Sequence, residues 1–280
     1  MNPLIKKIEN ILKASGIEEY KKEAQILITE ISGQSLEEIY LGKEIKDKDK
    51  IIELANKRAL DRIPIQYLIG FSYFMGEKYK VNKDVLIPRD ETELLVEASY
   101  KLIKDNKNKI DILDIGVGSG CVSCALAKKL ENKEIEILGV DISSDAIITA
   151  LDNVNSLNLE RKVILRKSDI FSKIRNFEKF DLIVSNPPYI PINQKQELQY
   201  EVKNFEPELA LFTKDINGIE FYEKIIQDAP KYLKSGGFLA FEAGVNQAQI
   251  IKEILKKDFE NIQIAQDLAG IERVICAKLK

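Results

Sequence analysis

Histidine is missing from all 280 residues. Its absence excludes Ser-His-Asp and Cys-His nucleophilic catalysis, and every metal site that needs an imidazole. Cysteine is scarce, at Cys121, Cys124 and Cys276, and an odd count without a paired framework argues against a disulfide scaffold. Cys121 and Cys124 form a CxxC inside GCVSCALAKKL. That stretch has the apolar pattern of a helix and no second pair to complete a zinc site, so buried core thiols are expected and no metal. No apolar run approaches the ~20 residues of a membrane helix. MNPLIKKIEN lacks the apolar core of a signal peptide, so a cytoplasmic protein with no membrane partner is expected. Positive charge is also short: 42 Lys and Arg against 45 Asp and Glu leave a net −3. No global basic field points to nucleic acid.

What remains is the composition of a globular protein, 45% hydrophobic and 31% charged, with length for one large or two moderate domains. The two parts have different patterns. Up to about residue 70 the periodicity is helical: PLIKKIENILKASG puts Leu4, Ile5, Ile8, Ile11 and Leu12 on one stripe and stops near Gly16. GFSYFMGEKYKVNKDVLIPR then brackets aromatic and β-branched residues between glycines, which predicts a hairpin. From Glu91 strands alternate with helices, at KIDILDIG, EIEILGVD, KVILRKSD, FDLIVSN and GGFLAFEAG. Ser144 is the expected cap of the helix SSDAIITALDNVNSL. This alternation predicts an α/β domain, a Rossmann-like, mostly parallel sheet covered on both faces. NIQIAQD and ERVICAKL follow without a helix between them, which predicts an antiparallel hairpin at one edge. The expected organisation is a helical domain over 1–70, a hairpin linker over 71–90 and an α/β domain over 91–280.

DILDIGVGSGC places Gly116, Val117, Gly118, Ser119 and Gly120 between a strand and a helix, just after Asp114. A dinucleotide fingerprint would need glycine at the position of Cys121. A phosphate-binding Walker loop would need a following Lys-Ser or Lys-Thr pair. The GxGxG spacing instead suits a small nucleoside-like cofactor lying over the glycines. Asp141 ends the next strand, where a carboxylate can accept from vicinal ribose hydroxyls. Asp169, Ile170 and Phe171 follow the strand after it, an acid for an adenine amino group with apolar residues to flank the ring. Successive strand ends of one parallel sheet are where such sheets bind ligands.

The fourth strand stops at Asn186, Pro187, Pro188 and Tyr189. Two prolines fix the backbone there. A planar amide or aromatic amine is a poor nucleophile because its lone pair is delocalised. The Asn186 side-chain oxygen and the Pro187 carbonyl could accept its N–H groups and aim the lone pair at an electrophile, while Tyr189 stacks on the flat group or lies near a cation. A sulfonium methyl supplies that electrophile, so S-adenosyl-L-methionine is the expected cofactor and S-adenosyl-L-homocysteine its product. Positioning then supplies most of the catalysis, with no histidine base.

NPPYI, DIGVGSGC and VLIPRDETELLVE together resemble the HemK/PrmC family, the peptide chain release factor N5-glutamine methyltransferases. The resemblance continues through PIQYLIGFSYFMGEKYKVNKDVLIPR, FEPELALF and NGIEFYEKII, so it covers nearly the whole chain. It departs at Asp90, where relatives carry proline, and at Ile170, where many carry an aromatic. The resemblance implies a seven-stranded class I methyltransferase sheet and methylation of the glutamine in the Gly-Gly-Gln loop of class I release factors. It also implies donor contacts at Gly116 to Gly120, Asp141, Ile170 and Asn186, and a substrate-amide clamp at Asn186 to Tyr189. The helical domain would engage the release factor, and PINQKQELQYEVKNFEPELALF would form part of the site's mouth. Glu206 and Glu91 are candidates to brace the site from behind. Two alternatives remain at this point. One is a DNA or RNA amino-methyltransferase acting on adenine, which should need a basic face. The other is a non-catalytic protein that binds the same cofactor and would have no need of Asn186.

Overall fold

The structure, a computed structural model, describes residues 2–280. The chain divides into two compact units, one of Met1–Phe71 with Gln199–Phe205, the other of Ser72–Leu198 with Glu206–Lys280. Among the described residues no helix is long and apolar enough to cross a membrane.

The first unit is helical: α1 (Pro3–Ala14), α2 (Tyr20–Ser32), α3 (Leu36–Tyr40), α4 (Lys48–Asp61) and α5 (Ile65–Ile69). The Asn2 side chain caps α1 by accepting from the Leu4 N–H at 2.9 Å, and Pro3 sits at the first turn, where its missing N–H costs nothing. Ile5, Ile8 and Leu12 are fully buried, each contributing about 1.5–3 kcal/mol. They pack with Leu27, Ile28, Ile51 and Ala55. The core also holds a charge network. Arg58, only 5% exposed, donates through Nε and Nη2 to both oxygens of Glu23 at 2.7 and 2.9 Å. Its Nη1 donates to Glu201 at 2.8 Å, and Arg62 Nε reaches the same Glu201 oxygen at 2.8 Å.

A hairpin, β1 (Phe71–Phe74) and β2 (Glu77–Lys80), begins at the last residue of the first unit and opens the second. Met75 and Gly76 between them both have positive φ, the geometry that suits a two-residue turn. Next come α6 (Asp90–Ile103), β3 (Ile110–Ile115), α7 (Cys121–Lys129), β4 (Ile135–Asp141), α8 (Ser144–Ser156), β5 (Val163–Lys167) and β6 (Phe180–Ser185). The short β7 (Ile190–Pro191), α9 (Tyr200–Phe205, in the helical unit), α10 (Glu208–Leu211) and β8 (Phe212–Thr213) follow. The chain ends with α11 (Glu220–Asp228), β9 (Leu233–Glu242), α12 (Ala248–Leu255), β10 (Phe259–Gln266) and β11 (Glu272–Leu279).

The main sheet has seven strands in the order β10-β11-β9-β6-β3-β4-β5. β11 is antiparallel to both β10 and β9, and the remaining pairs are parallel. This is the expected class I methyltransferase architecture with its antiparallel edge. Apolar residues cover both faces: Leu95, Cys124 and Leu126 belong to one core cluster, Tyr222, Ile225 and Ile251 to the other. All three cysteines are buried and free. One detail differs from the sequence expectation. Ser143, not Ser144, caps α8, its hydroxyl accepting from the Ala146 N–H at 3.2 Å. Ser143 holds the extended backbone that a cap needs, whereas the Ser144 hydroxyl accepts from Lys167.

Replacing Arg58 by Met removes the cation shared by Glu23 and Glu201. The expected loss is about 3–5 kcal/mol, since a buried charge loses its partner. Urea denaturation of the two proteins measures it, and a loss below about 1 kcal/mol would contradict the packing described.

Candidate active site

Four strand ends build the site. After β3 the chain turns through Gly116, Gly118 and Gly120, with φ of 76°, 53° and 81°. At Gly120 a side chain is disfavoured twice over, because a Cβ there would also lie a tight 3.3 Å from that of Ala150. The loop is fixed from below. The N–H groups of Gly116 and Val117 both donate to the Val140 carbonyl, at 2.8 and 2.9 Å. The Ser119 carbonyl accepts from Asn153 at 2.8 Å. Gly116, Val117, Gly118 and Ser119 line one wall of a cleft. Asp114 lies beneath, buried, accepting from the Ser123 hydroxyl at 2.6 Å, and burial pushes its carboxyl up to about 7.

Asp141, at the end of β4, also lines the cleft. Its two oxygens accept separate backbone N–H groups, from Gly118 at 3.0 Å and Ser143 at 2.9 Å. Burial raises its pKa, and these bonds oppose the rise. A carboxylate oxygen has two lone pairs, so each can still accept a ligand hydroxyl. Beyond β5, Ser168, Asp169 and Ile170 complete this end. Ile170 has φ 46°, unusual for a β-branched residue, and the Ser168 hydroxyl donates to its carbonyl at 2.9 Å. Phe171 does not flank the cleft as expected. It is buried in the core, stacked on Tyr232 with centroids 4.6 Å apart, because the turn at Ile170 directs the next side chain inward.

At the end of β6, the Ser185 hydroxyl donates to the Ile115 carbonyl at 2.7 Å. Asn186, Pro187 and Pro188 then face the same cleft as the glycine loop. The Asn186 Nδ2 donates to Thr92 Oγ1 at 3.2 Å, and that hydroxyl donates to Glu242 Oε2 at 2.6 Å. Tyr189 is placed differently from its three predecessors. It is absent from the cleft wall, and its hydroxyl is directed to Glu242 Oε1 at 3.4 Å. Burial raises the phenol pKa. Its backbone carbonyl accepts from Gln247 Nε2 at 2.8 Å. Gln247 also donates to the Asn217 carbonyl at 3.0 Å and accepts the Gly244 N–H at 3.0 Å, so one amide joins three loops.

Glu206 braces the other wall. It accepts from the Ile87 N–H at 3.2 Å and pairs with Arg89, and Pro88 and Arg89 line the cleft. Glu91 is exposed. Asp90 occupies the first helical position of α6, where proline and an acid are both favoured. Of the long segment after β7, Pro207, Leu209 and Ala210 reach the cleft. Sequence reasoning missed Thr92, Glu242 and Gln247. Glu242 carried a usable signal, an acid at the end of a strand in the same sheet. Thr92 and Gln247 carried none.

Residues 106–277 match the family model described as a methyltransferase domain, and residues 3–70 match the PrmC N-terminal domain. A release factor glutamine methyltransferase from Fusobacterium nucleatum is 43% identical over 241 residues, 85% of this chain and 67% of that protein. One from Clostridium acetobutylicum is 35% identical over 277 residues, 97% of this chain and 95% of the other. A methyltransferase structure from Pyrococcus furiosus shares the fold, with a TM-score of 0.53 at 16% identity over 82% of this chain and 98% of that one. The sheet order and the domain match make this a class I methyltransferase. With its N-terminal match and these similarities over most of its length, the chain belongs to the release factor glutamine methyltransferase family.

Gly218 tests how tightly the corner is held. It has φ 71°, and a Cβ there would lie 2.1 Å from the Tyr189 carbonyl oxygen. Gly218→Ala is expected to cost roughly 1–3 kcal/mol of stability through overpacking and backbone strain. An unchanged denaturation midpoint would show that the corner yields freely.

Proposed function

We propose that this chain transfers a methyl group from S-adenosyl-L-methionine to the side-chain amide nitrogen of the glutamine in the Gly-Gly-Gln loop of class I release factors. S-adenosyl-L-homocysteine is the other product. The observation that carries the reading is the Asn186 carboxamide, anchored through Nδ2, in the wall of the cleft that also holds Asp141 and the glycine loop.

The residues present suit the donor. Asp141 offers carboxylate lone pairs for two ribose hydroxyls, Val117 and Ile170 give apolar surface for a purine, and Asp169 lies beside them as an acceptor. Bound there, the donor supplies an electrophilic methyl on a positively charged sulfur. The chain's own part is positional. Asn186 Oδ1 and the Pro187 carbonyl accept the substrate N–H groups and turn the nitrogen lone pair toward the methyl. Proline brings no N–H of its own to compete. Once methylated, the nitrogen is acidic and loses a proton to water, so no strong base is required. Tyr189 supports the corner from behind by its bond to Glu242.

Residues 1–70 act as the release-factor recognition domain, 71–90 as a hairpin linker and 91–280 as the methyltransferase domain. A cytoplasmic location accompanies this reading.

Incubation with labelled donor tests it. Label is expected on a class I release factor and lost when the glutamine of its loop is replaced. Label on DNA or RNA alone would overturn the reading. Asp141→Ala is expected to weaken donor binding by about 1.5–3 kcal/mol, the worth of hydrogen bonds to a charged acceptor. Calorimetry reads this directly, and an unchanged dissociation constant would remove Asp141 from the ribose site.

A further inference from the structure

A carboxamide can present either its oxygen or its nitrogen to a substrate, and the two ends have nearly the same shape. The clamp proposed above works only with Oδ1 toward the acceptor N–H groups. Nδ2 in that place would set donor against donor. Something in the protein must choose between them.

The chain Asn186–Thr92–Glu242 makes that choice. Thr92 and Glu242 are 3% and 2% exposed, so water does not compete for their hydrogen bonds. Thr92 Oγ1 carries one proton. It lies 2.6 Å from Glu242 Oε2 and 3.2 Å from Asn186 Nδ2. An ionised carboxylate only accepts. We propose that the Glu242 carboxylate takes the single Thr92 proton, which obliges the hydroxyl to accept from Asn186 Nδ2 and leaves Oδ1 directed at the substrate amide. Thr92 and Glu242 are thus positioning residues for the methyl-accepting site; the inference rests on the role proposed for Asn186.

The same arrangement is sensitive to protonation. A protonated Glu242 can donate to Thr92 Oγ1. The Thr92 proton is then free to turn to Asn186, and the carboxamide is stabilised with Oδ1 facing Thr92, the unproductive way round. The groups facing Glu242 are Glu91 and Thr92 on α6, Arg273 on β11, Tyr189 at the corner and Cys121 on α7. Tyr222 on α11 donates to its backbone carbonyl at 2.9 Å. Burial is the largest influence and pushes the carboxyl up to about 7. The Thr92 bond, Arg273 and Tyr189 pull it down, and the Glu91 charge adds to the rise. Activity should therefore be full above neutrality and fall as pH drops through this range.

Two measurements decide the matter. In protein labelled with 15N in asparagine side chains, the Asn186 amide signal, assigned by its loss in Asn186→Asp, should shift between pH 6 and 8. That shift should be absent in Glu242→Gln. In the kinetic arm, Thr92→Val keeps the shape and removes the hydroxyl, and Thr92→Ser restores it. Val is expected to lower kcat about 10- to 100-fold and to abolish the acid limb of the pH profile, with donor affinity by calorimetry unchanged. Ser should stay within about 3-fold of the parent and keep the limb. An Asn186 signal that ignores pH in the parent protein, or a Thr92→Val enzyme with parental kcat and acid limb, would overturn the proposal. The nuclear resonance arm needs no release factor. Failure of the parent enzyme to label a release factor would therefore sink the proposed function and leave the hydrogen-bond chain to be read separately.

Discussion

The pairing of β6 with β3 is the constraint on which the site depends. Ser185 stands opposite Ile115 in the parallel register, and the Ser185 hydroxyl is bonded to the Ile115 carbonyl. Both strands therefore leave the sheet at one level, one into the glycine loop and the other into the asparagine-proline corner. A shift of one residue would turn Ser185 to the opposite face and carry the corner with it. Apolar residues packed on both sides of these strands resist such a slip. Leu182 and Val184 face one core cluster and Ile183 the other.

Charge in this region is managed by burial more than by pairing. Asp114 beneath the glycine loop and Glu242 behind the corner are both pushed up to about 7 by desolvation, and each is bonded to a neighbouring hydroxyl. Desolvation favours the protonated form of each relative to an exposed carboxyl. Asp141 meets the same penalty, but two backbone N–H bonds favour its ionised form. The contrast fits their places. Asp141 opens onto the cleft, whereas the other two lie behind its walls. The helical unit uses a different solution, with Arg58 held between two carboxylates.

Much of this was legible in the residue pattern. The alternation of strands and helices gave the parallel sheet, and the two closing strands gave its antiparallel edge. The glycine spacing and the acid of Asp141 marked one part of the cleft, and the abrupt stop at Asn186 marked another. These signals are local: a glycine at positive φ, a proline ring, a carboxylate at a strand end. Other placements had no local cause. Phe171 was expected against the cleft, and it is stacked on Tyr232 because the strained turn at Ile170 sends it inward. Ser143 rather than Ser144 caps α8, a choice set by one pair of dihedral angles.

The amino-acid sequence by itself determined the elements, the family and the identity of the groups at the strand ends. These follow from periodicity, turn chemistry and residue type, all of which act over a few neighbours. Only the tertiary structure decided which groups meet: Thr92 with Asn186 across 94 positions, Glu242 with Thr92 across 150, and Gln247 with Tyr189 across 58. Their partners are chosen by how the sheet and its helices pack, and once buried each polar group must take the hydrogen bond that packing offers.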